Sequence, residues 1–345
     1  CRKRRSLVVR EVVTPRRGDG VGVGKVLLIE VVNEPRVGAE RARFRHVGNR
    51  VRGWGHALEV RGQWGLVGKV RPVSPVSSGT MSTTRHAASG LERVHVATVP
   101  DLAVWRREAD GPLVIAVHGG LDRAGSFARI ARRCEGCDFI AYDRRGYQGS
   151  RAGGTADLPH HARDLADLVR GVAPTQPAVI VGHSYGGLVA LAASLIEPSL
   201  IQSIVTYEPP LPWIFQREGR MSALAATPAA EAEQFFRRMI SDAAWERLAE
   251  TEKQGRRDDG PALYDDLLTI RNPEPPFPIT AITAQWTYSY GDSVERHAYY
   301  VEVARRLTQL VPTVAIAPLE GAGHGAHLAN PEGLTRIIRQ HMERI

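Results

Sequence analysis

The segment that most constrains the fold is Gly-His-Ser-Tyr-Gly at residues 182–186, which has the form G-x-S-x-G. A short apolar run rich in β-branched residues precedes it at 177–181, and a longer apolar run follows it at 187–196. The first run predicts a buried strand and the second a helix. A serine on so sharp a turn adopts a strained backbone conformation that raises its hydroxyl above the edge of a sheet.

Three further motifs lie around this turn in a fixed order. One strand-like run ends in His-Gly-Gly at 118–120, and a second leads into Asp-Arg-Arg-Gly at 143–146. Far downstream, the strand-like run 313–317 is followed by Gly-Ala-Gly-His at 321–324. With the serine turn, these motifs resemble the α/β-hydrolase family over roughly residues 91–345. A G-x-S-x-G motif alone is weak, whereas the four motifs in this order are specific.

The resemblance implies a nucleophile, a base and an oxyanion hole. Ser184 is the expected nucleophile, and a serine hydroxyl reacts poorly until a base removes its proton. His324 is the expected base, because it follows a late strand where the chain order of this fold places the histidine. The backbone N–H groups of Tyr185 and Gly120 are expected to stabilise the oxyanion that forms on attack.

Two acidic residues compete for the third position of the triad. The family usually carries an acid after the strand that we expect at 279–284, and Asp292 is the first acid beyond it. The rival is Glu208, at the end of the strand expected at 201–207. Placement favours Glu208 and family habit favours Asp292. Either carboxylate would orient the imidazole and stabilise its cation.

Strand-like and helix-like segments alternate from residue 91 onward, which predicts an α/β fold. We expect a mostly parallel sheet covered by helices on both faces, with the site at the carboxyl ends of the strands. The expected strands lie near 93–98, 102–107, 113–117, 138–142, 177–181, 201–207, 279–284 and 313–318. The expected helices lie near 124–133, 157–171, 185–197, 296–310 and 331–343.

Residues 209–275 interrupt this alternation between two proline-rich segments. Helical patterns at 229–240 and 262–270 predict a small helical cap, inserted into a hydrolase core formed by 81–208 and 276–345. A cap that excludes water suggests a small, mostly apolar substrate.

The charge of the chain is concentrated in its first 80 residues. These carry 17 Lys and Arg against 6 Asp and Glu, a balance of +11, whereas the remainder has a balance of −3. The first methionine is Met81. We hypothesise that the natural protein starts there, and that 1–80 is a basic, disordered or non-native upstream segment. A nucleic-acid-binding arm is the alternative, although no recognisable nucleic-acid fold supports it.

The sequence also bears on binding to a membrane, a metal ion or a cofactor. The best apolar run near the start, 26–29, is too short to span a bilayer. Cys134 and Cys137 have redox or metal spacing but precede a strand, so we expect two loop thiols in a reducing cytoplasm. No cluster of metal ligands is evident in the sequence, and we expect neither a metal nor a cofactor. The oligomeric state is left open.

The leading functional hypothesis is a serine hydrolase that cleaves a small ester-like substrate through an acyl-enzyme. Serine rather than aspartate at 184 argues against the epoxide hydrolase and haloalkane dehalogenase branches of the family. Esterases, thioesterases, C–C bond hydrolases and cofactor-free perhydrolases stay open. The alternative of another class is a binding protein that keeps the fold without turnover.

Overall fold

The computed structural model describes residues 6–10, 26–30, 90–216, 223–292 and 297–345. The chain divides into two compact units, Cys1–Ser78 and Gly79–Ile345. In the first unit, strands β1 (Ser6–Arg10) and β2 (Val26–Glu30) pair in antiparallel register. The sequence did not predict this pairing. The basic clusters of 1–80 and the start at Met81 fall largely outside the described residues and stay hypotheses.

Eight of the described strands form one sheet in the second unit, in the order β10-β9-β8-β7-β5-β6-β4-β3. The edge strands β3 and β4 are antiparallel, and the strands from β6 to β10 run parallel. This confirms the predicted sheet and its antiparallel edge. The bounds are β3 (Glu92–Val94), β4 (Ala103–Arg107), β5 (Leu113–Val117), β6 (Asp138–Asp143), β7 (Ala178–His183), β8 (Ser203–Tyr207), β9 (Gln285–Gly291) and β10 (Ala315–Leu319).

Helices cover both faces of this sheet. Because side chains alternate along a strand, Ile115 of β5 enters one apolar cluster and Val114 enters another. Helices α2, α3 and α8 pack on the first face, and α1 and α10 pack on the second. The bounds are α1 (Ala128–Arg133), α2 (Leu158–Val172), α3 (Tyr185–Ile196), α4 (Pro228–Met239), α5 (Asp242–Glu246), α6 (Glu250–Asp258), α7 (Gly260–Arg271), α8 (His297–Leu310), α9 (Ala326–Ala329) and α10 (Pro331–Met342).

The strand predicted at 279–284 was wrong. Ile279–Ala281 is a short 3-10 turn, and β9 follows at Gln285–Gly291. In β9, aromatic residues alternate with small polar ones, and one of the polar residues has a buried partner: the Thr287 hydroxyl lies 2.7 Å from Nδ1 of His341. The sequence pattern favoured residues 279–284 as the strand because that run is more apolar than Gln285–Gly291. The correction makes Asp292 the residue directly after a strand.

Helices α4 to α7 are inserted between β8 and β9 and pack over the loops that follow β5 and β6. The helices α4 and α5 begin at side-chain caps, where the hydroxyls of Thr227 and Ser241 accept backbone N–H groups. Leu263 of α7 packs with Leu121 and Ala232 in a small apolar cluster. Two of the inserted helices, α5 and α6, were not predicted. Among the described residues, none of the helices combines the length and apolarity needed to cross a membrane.

Candidate active site

Ser184 lies on the turn between β7 and α3, with φ of 52° and ψ of −124°. This left-handed backbone is uncommon for a residue with a side chain. The neighbouring glycines are required by space, because a Cβ on Gly186 would lie 2.2 Å from the carbonyl oxygen of Val117. A Cβ on Gly182 would lie 2.6 Å from the carbonyl oxygen of Gly186. The turn therefore has the strained strand-to-helix form that the motif predicted.

Of the two residues proposed as oxyanion donors, Tyr185 lies on this turn, and Gly120 follows a glycine that approaches it closely. Tyr185 is the first residue of α3, so its N–H has no partner within the helix. Gly119 approaches Ser184 so closely that a Cβ added to it would lie 2.9 Å from Cβ of Ser184. Gly120 faces the inserted helices, since its added Cβ would lie 3.0 Å from Cδ1 of Leu263 and 3.7 Å from Cζ of Phe235.

His118 braces the turn that carries these glycines. Its Nδ1 donates to the carbonyl of Gly119 at 2.7 Å, and its Nε2 accepts the backbone N–H of Arg144 at 2.8 Å. Burial lowers the pKa of His118 to about 3, and the Arg144 guanidinium contributes in the same direction. A neutral ring that uses both nitrogens in hydrogen bonds therefore holds this turn in place.

Glu208 contacts the imidazole of His324. Its Oε2 lies 2.6 Å from Nδ1 of His324, and its Oε1 accepts the backbone N–H of Gly291 at 3.0 Å. The side chain is only 1% exposed. Glu208 follows β8 directly and takes a left-handed backbone with φ of 48°, while its own N–H donates to the carbonyl of Ser289 at 2.9 Å.

Asp292 instead contacts the backbone of the loop that carries His324, residues 320–325, which we call the histidine loop. Its Oδ1 accepts the N–H of Ala322 at 3.2 Å. Hydrogen bonding to the backbone N–H of Gly321, and then of Ala322, lowers the pKa of Asp292. Both candidate acids therefore reach the same loop, but Glu208 meets the ring and Asp292 meets the main chain.

Two buried side chains hold the carbonyl groups of this loop. The Tyr207 hydroxyl donates to the carbonyl of Gly323 at 2.9 Å, and Nε2 of His183 donates to the carbonyl of His324 at 2.8 Å. Because His183 directly precedes Ser184, this second contact joins the serine turn to the histidine loop. Burial, followed by the neighbouring His327 and His324, lowers the pKa of His183 well below its ordinary value.

A cluster of Asp122, His183 and His327 was missed by sequence reasoning. Nε2 of His327 lies 3.1 Å from Oδ2 of Asp122, and Nδ1 of His183 lies 4.0 Å from the same oxygen. His327, three residues after His324, is buried in α9. Each of the three residues lies within four positions of a recognised motif, and the convergence of those motifs was the available signal.

A buried ion pair joins the loop after β6 to the inserted helices, and it was also not predicted. The guanidinium of Arg144 contacts the carboxylate of Asp266 at 2.6 Å, with both side chains at most 1% exposed. The Tyr147 hydroxyl donates to Asp266 at 2.6 Å. Burial raises the pKa of Asp266, although Arg144 opposes this effect. A Cβ on Gly120 would lie 3.7 Å from the same carboxylate, so the pair lies close to the proposed oxyanion turn.

Asp143 and Gln148 shape that same loop. Asp143 accepts backbone N–H groups, from Ala124 at 2.8 Å and from Gly149 at 3.0 Å. Burial raises the pKa of Asp143 to about 6. Gln148 takes φ of 40°, in the left-handed region that favours glycine, and its N–H donates to Asp259 at 2.9 Å. The inserted helices thus support a turn that has no glycine at this position.

Comparison with known proteins agrees with this architecture. A model described as "Alpha/beta hydrolase family" matches residues 114–337. A monoacylglycerol lipase of Mycolicibacterium smegmatis is 31% identical over 144 residues, which cover 37% of this chain and 48% of the lipase. The chain thus matches about half the length of this curated relative and less of the others.

Solved structures extend the likeness over most of the second unit. An E-2-(acetamidomethylene)succinate hydrolase superposes with a TM-score of 0.54 at 19% identity, over 73% of this chain and 98% of that protein. An epoxide hydrolase variant from Solanum tuberosum superposes with a TM-score of 0.52 at 17% identity, over 74% and 99%. At these identities the likeness establishes the fold alone.

Proposed function

Because the chain belongs to the alpha/beta hydrolase family, we propose that it is a serine hydrolase that cleaves a small, mostly apolar ester through an acyl-enzyme. The observation that carries this proposal is the contact between His324 and Glu208, next to the strained turn of Ser184. A base oriented by a buried carboxylate beside a serine turn is the arrangement that activates a hydroxyl.

The proposed reaction begins when Nε2 of His324 removes the proton of the Ser184 hydroxyl. Oγ of Ser184 then attacks the ester carbonyl, and the N–H groups of Tyr185 and Gly120 stabilise the oxyanion. The tetrahedral intermediate collapses, and His324 gives its proton to the departing alcohol. Water, activated by the same imidazole, attacks the acyl-enzyme, and the carboxylic acid leaves as Ser184 regains its proton.

We propose Glu208 as the third member of the triad. Its Oε2 accepts the Nδ1–H of His324, which leaves Nε2 free to act as the base and stabilises the imidazolium formed in each half-reaction. Its Oε1 is held by the N–H of Gly291, so the carboxylate has a fixed orientation. Asp292 is proposed as a residue that positions the histidine loop through its main chain.

The inserted helices α4 to α7 are proposed as a cap over the substrate. The side chains of Leu263 and Phe235 face Gly120, which supports an apolar acyl group at this place. The likeness to a protein named as a monoacylglycerol lipase supports an ester as the substrate class. We therefore expect short to medium acyl esters to be hydrolysed better than charged ones.

The test is hydrolysis of p-nitrophenyl esters of increasing acyl length by the full chain, with Ser184→Ala beside it. A fluorophosphonate probe, followed by peptide mass spectrometry, should label Ser184. Ser194→Ala is the matched control, because Ser194 is a buried serine on the same helix whose hydroxyl donates only to the carbonyl of Leu191. We expect turnover and labelling to vanish in Ser184→Ala and to persist in the control. A folded wild type that neither hydrolyses esters nor reacts with the probe would instead support a non-catalytic binding protein.

A further inference from the structure

Asp122, His183 and His327 bring one donor atom each to a common point beneath the histidine loop, and we call them the Asp-His-His cluster. The three donor atoms all lie within 4.8 Å of one another. We propose that Oδ2 of Asp122, Nδ1 of His183 and Nε2 of His327 bind a divalent transition-metal ion of the zinc type. The proposal does not depend on the activity proposed above.

The donor atoms are buried and lack hydrogen-bond partners among the described residues. The whole residues His183 and His327 are 6% and 3% exposed. Nε2 of His327 lies 3.1 Å from Oδ2 of Asp122, which is an attractive electrostatic contact without the geometry of a regular hydrogen bond. Buried polar atoms almost always have a hydrogen-bond partner or a ligand. Three buried donor atoms that converge without a regular hydrogen bond therefore indicate that they share one ligand.

The protonation of His183 strengthens this argument. A carbonyl oxygen only accepts hydrogen bonds, so Nε2 of His183 must carry its proton in order to donate to His324. In the neutral ring Nδ1 then has a lone pair, and this lone pair lies 4.0 Å from the carboxylate oxygen of Asp122. The lone pair and the carboxylate repel each other, and this repulsion is unfavourable in a buried site. A cation between them would convert the repulsion into coordination.

The surroundings of two members of the cluster, His183 and Asp122, resemble those of ligands in metal sites. Histidine ligands commonly donate their second ring N–H to a backbone carbonyl, as His183 does to His324. Ligating carboxylates are commonly hydrogen-bonded through their second oxygen, and Oδ1 of Asp122 accepts the hydroxyl of Ser126. Gly119 leaves space at the donor face, because a Cβ there would lie 3.2 Å from Nδ1 of His183.

Two imidazoles and one carboxylate favour zinc or a neighbouring transition metal over Mg²⁺ and Ca²⁺, which prefer oxygen ligands. With bonds of about 2.0–2.1 Å, ligands around tetrahedral zinc lie roughly 3.3 Å apart. The distance of 3.1 Å between Nε2 of His327 and Oδ2 of Asp122 is close to this value. Rotation of the His183 ring toward Asp122 would shorten the distance of 4.0 Å between Nδ1 of His183 and Oδ2 of Asp122. The bound ion would hold the carbonyl of His324 through His183 and so stiffen the histidine loop.

The experiment treats the full chain with a chelator to remove bound metal and then titrates it with Zn²⁺ in an isothermal titration calorimeter. We expect one Zn²⁺ per chain in the wild type. Affinity should fall at least a hundredfold in His327→Gln and in Asp122→Asn. The control is His160→Gln, because His160 is exposed and lies beside Asp157 at the start of α2, away from the cluster. Equal binding by the wild type and the two cluster variants would overturn the proposal, as would a wild type that binds no zinc.

X-ray absorption of the zinc-loaded wild type tests the same site without a substitution. The spectrum should contain the scattering of two imidazole rings and distances of about 2.0–2.1 Å between zinc and its nitrogen and oxygen ligands. A spectrum with no imidazole scattering would place the ion elsewhere and overturn the proposal, even if the variants of Asp122 and His327 fail to fold.

Discussion

Nδ1 of His324 lies 2.6 Å from Oε2 of Glu208, although 116 positions separate the two residues. The contact reaches across three neighbouring strands, since Glu208 directly follows β8 and His324 lies in the loop after β10. The parallel strands β8, β9 and β10 are neighbours whose carboxyl ends meet at one edge. An acid after β8 therefore reaches the same histidine loop as an acid after β9.

The first prediction separates these two acids. Glu208→Gln should lower kcat/KM for ester hydrolysis by roughly 10²–10⁴, because an amide in place of the carboxylate no longer stabilises the imidazolium. Asp292→Asn should lower it by less than about tenfold, since the amide oxygen can still accept the N–H of Ala322. Steady-state kinetics on the same ester measures both. The reverse order of losses would assign the third position to Asp292.

The second prediction concerns the glycine after the serine turn. Gly186→Ala should lower the free energy of unfolding by about 1–3 kcal/mol or more, because its Cβ would lie 2.2 Å from the carbonyl oxygen of Val117. Gly325→Ala is the control, since no atom lies within 4 Å of its added Cβ and its φ is −88°. Urea denaturation followed by circular dichroism measures both variants. Similar losses would show that the close approach at Gly186 is not what requires glycine.

The third prediction concerns the buried pair of Arg144 and Asp266. Asp266→Leu alone should cost about 3–5 kcal/mol of unfolding free energy, because it leaves the Arg144 guanidinium buried without its partner. The double variant Arg144→Met/Asp266→Leu should lose less than the sum of the single variants. Chemical denaturation of the four proteins in the cycle measures this coupling. Strict additivity would mean that the pair does not act as a unit.

The sequence predicted the parts of the site that lie in contiguous motifs. The strand-to-helix turn of Ser184, the proposed nucleophile, could be predicted because a strand, a turn with two small residues and a helix follow one another within a few positions. The start of β9 was missed because apolarity favoured 279–284 over the alternating residues of Gln285–Gly291. Neither Asp122 nor His327 has a ligand partner at a diagnostic spacing, so only the folded sheet brings them together.

The last prediction concerns acid stability and His341, which lies far from the serine turn. Its Nε2 lies 2.6 Å from the Ser203 hydroxyl and its Nδ1 lies 2.7 Å from the Thr287 hydroxyl. Burial, and then the charge of Arg344, lowers the pKa of His341 to about 4 from 6.5. Between these values the unfolded chain binds a proton that the folded chain does not, so stability is lost as the pH falls below about 6.5 and this loss ends near pH 4.

His341→Gln removes this titration while it keeps a polar side chain. The variant should be less stable than the wild type at pH 7, and the gap should narrow by about 3 kcal/mol at pH 4. Urea denaturation at half-unit pH steps measures the difference, in which the other titrating groups cancel. A gap that stays constant from pH 7 to pH 4 would contradict the lowered pKa, because a histidine with the same pKa in both states adds no pH dependence to folding.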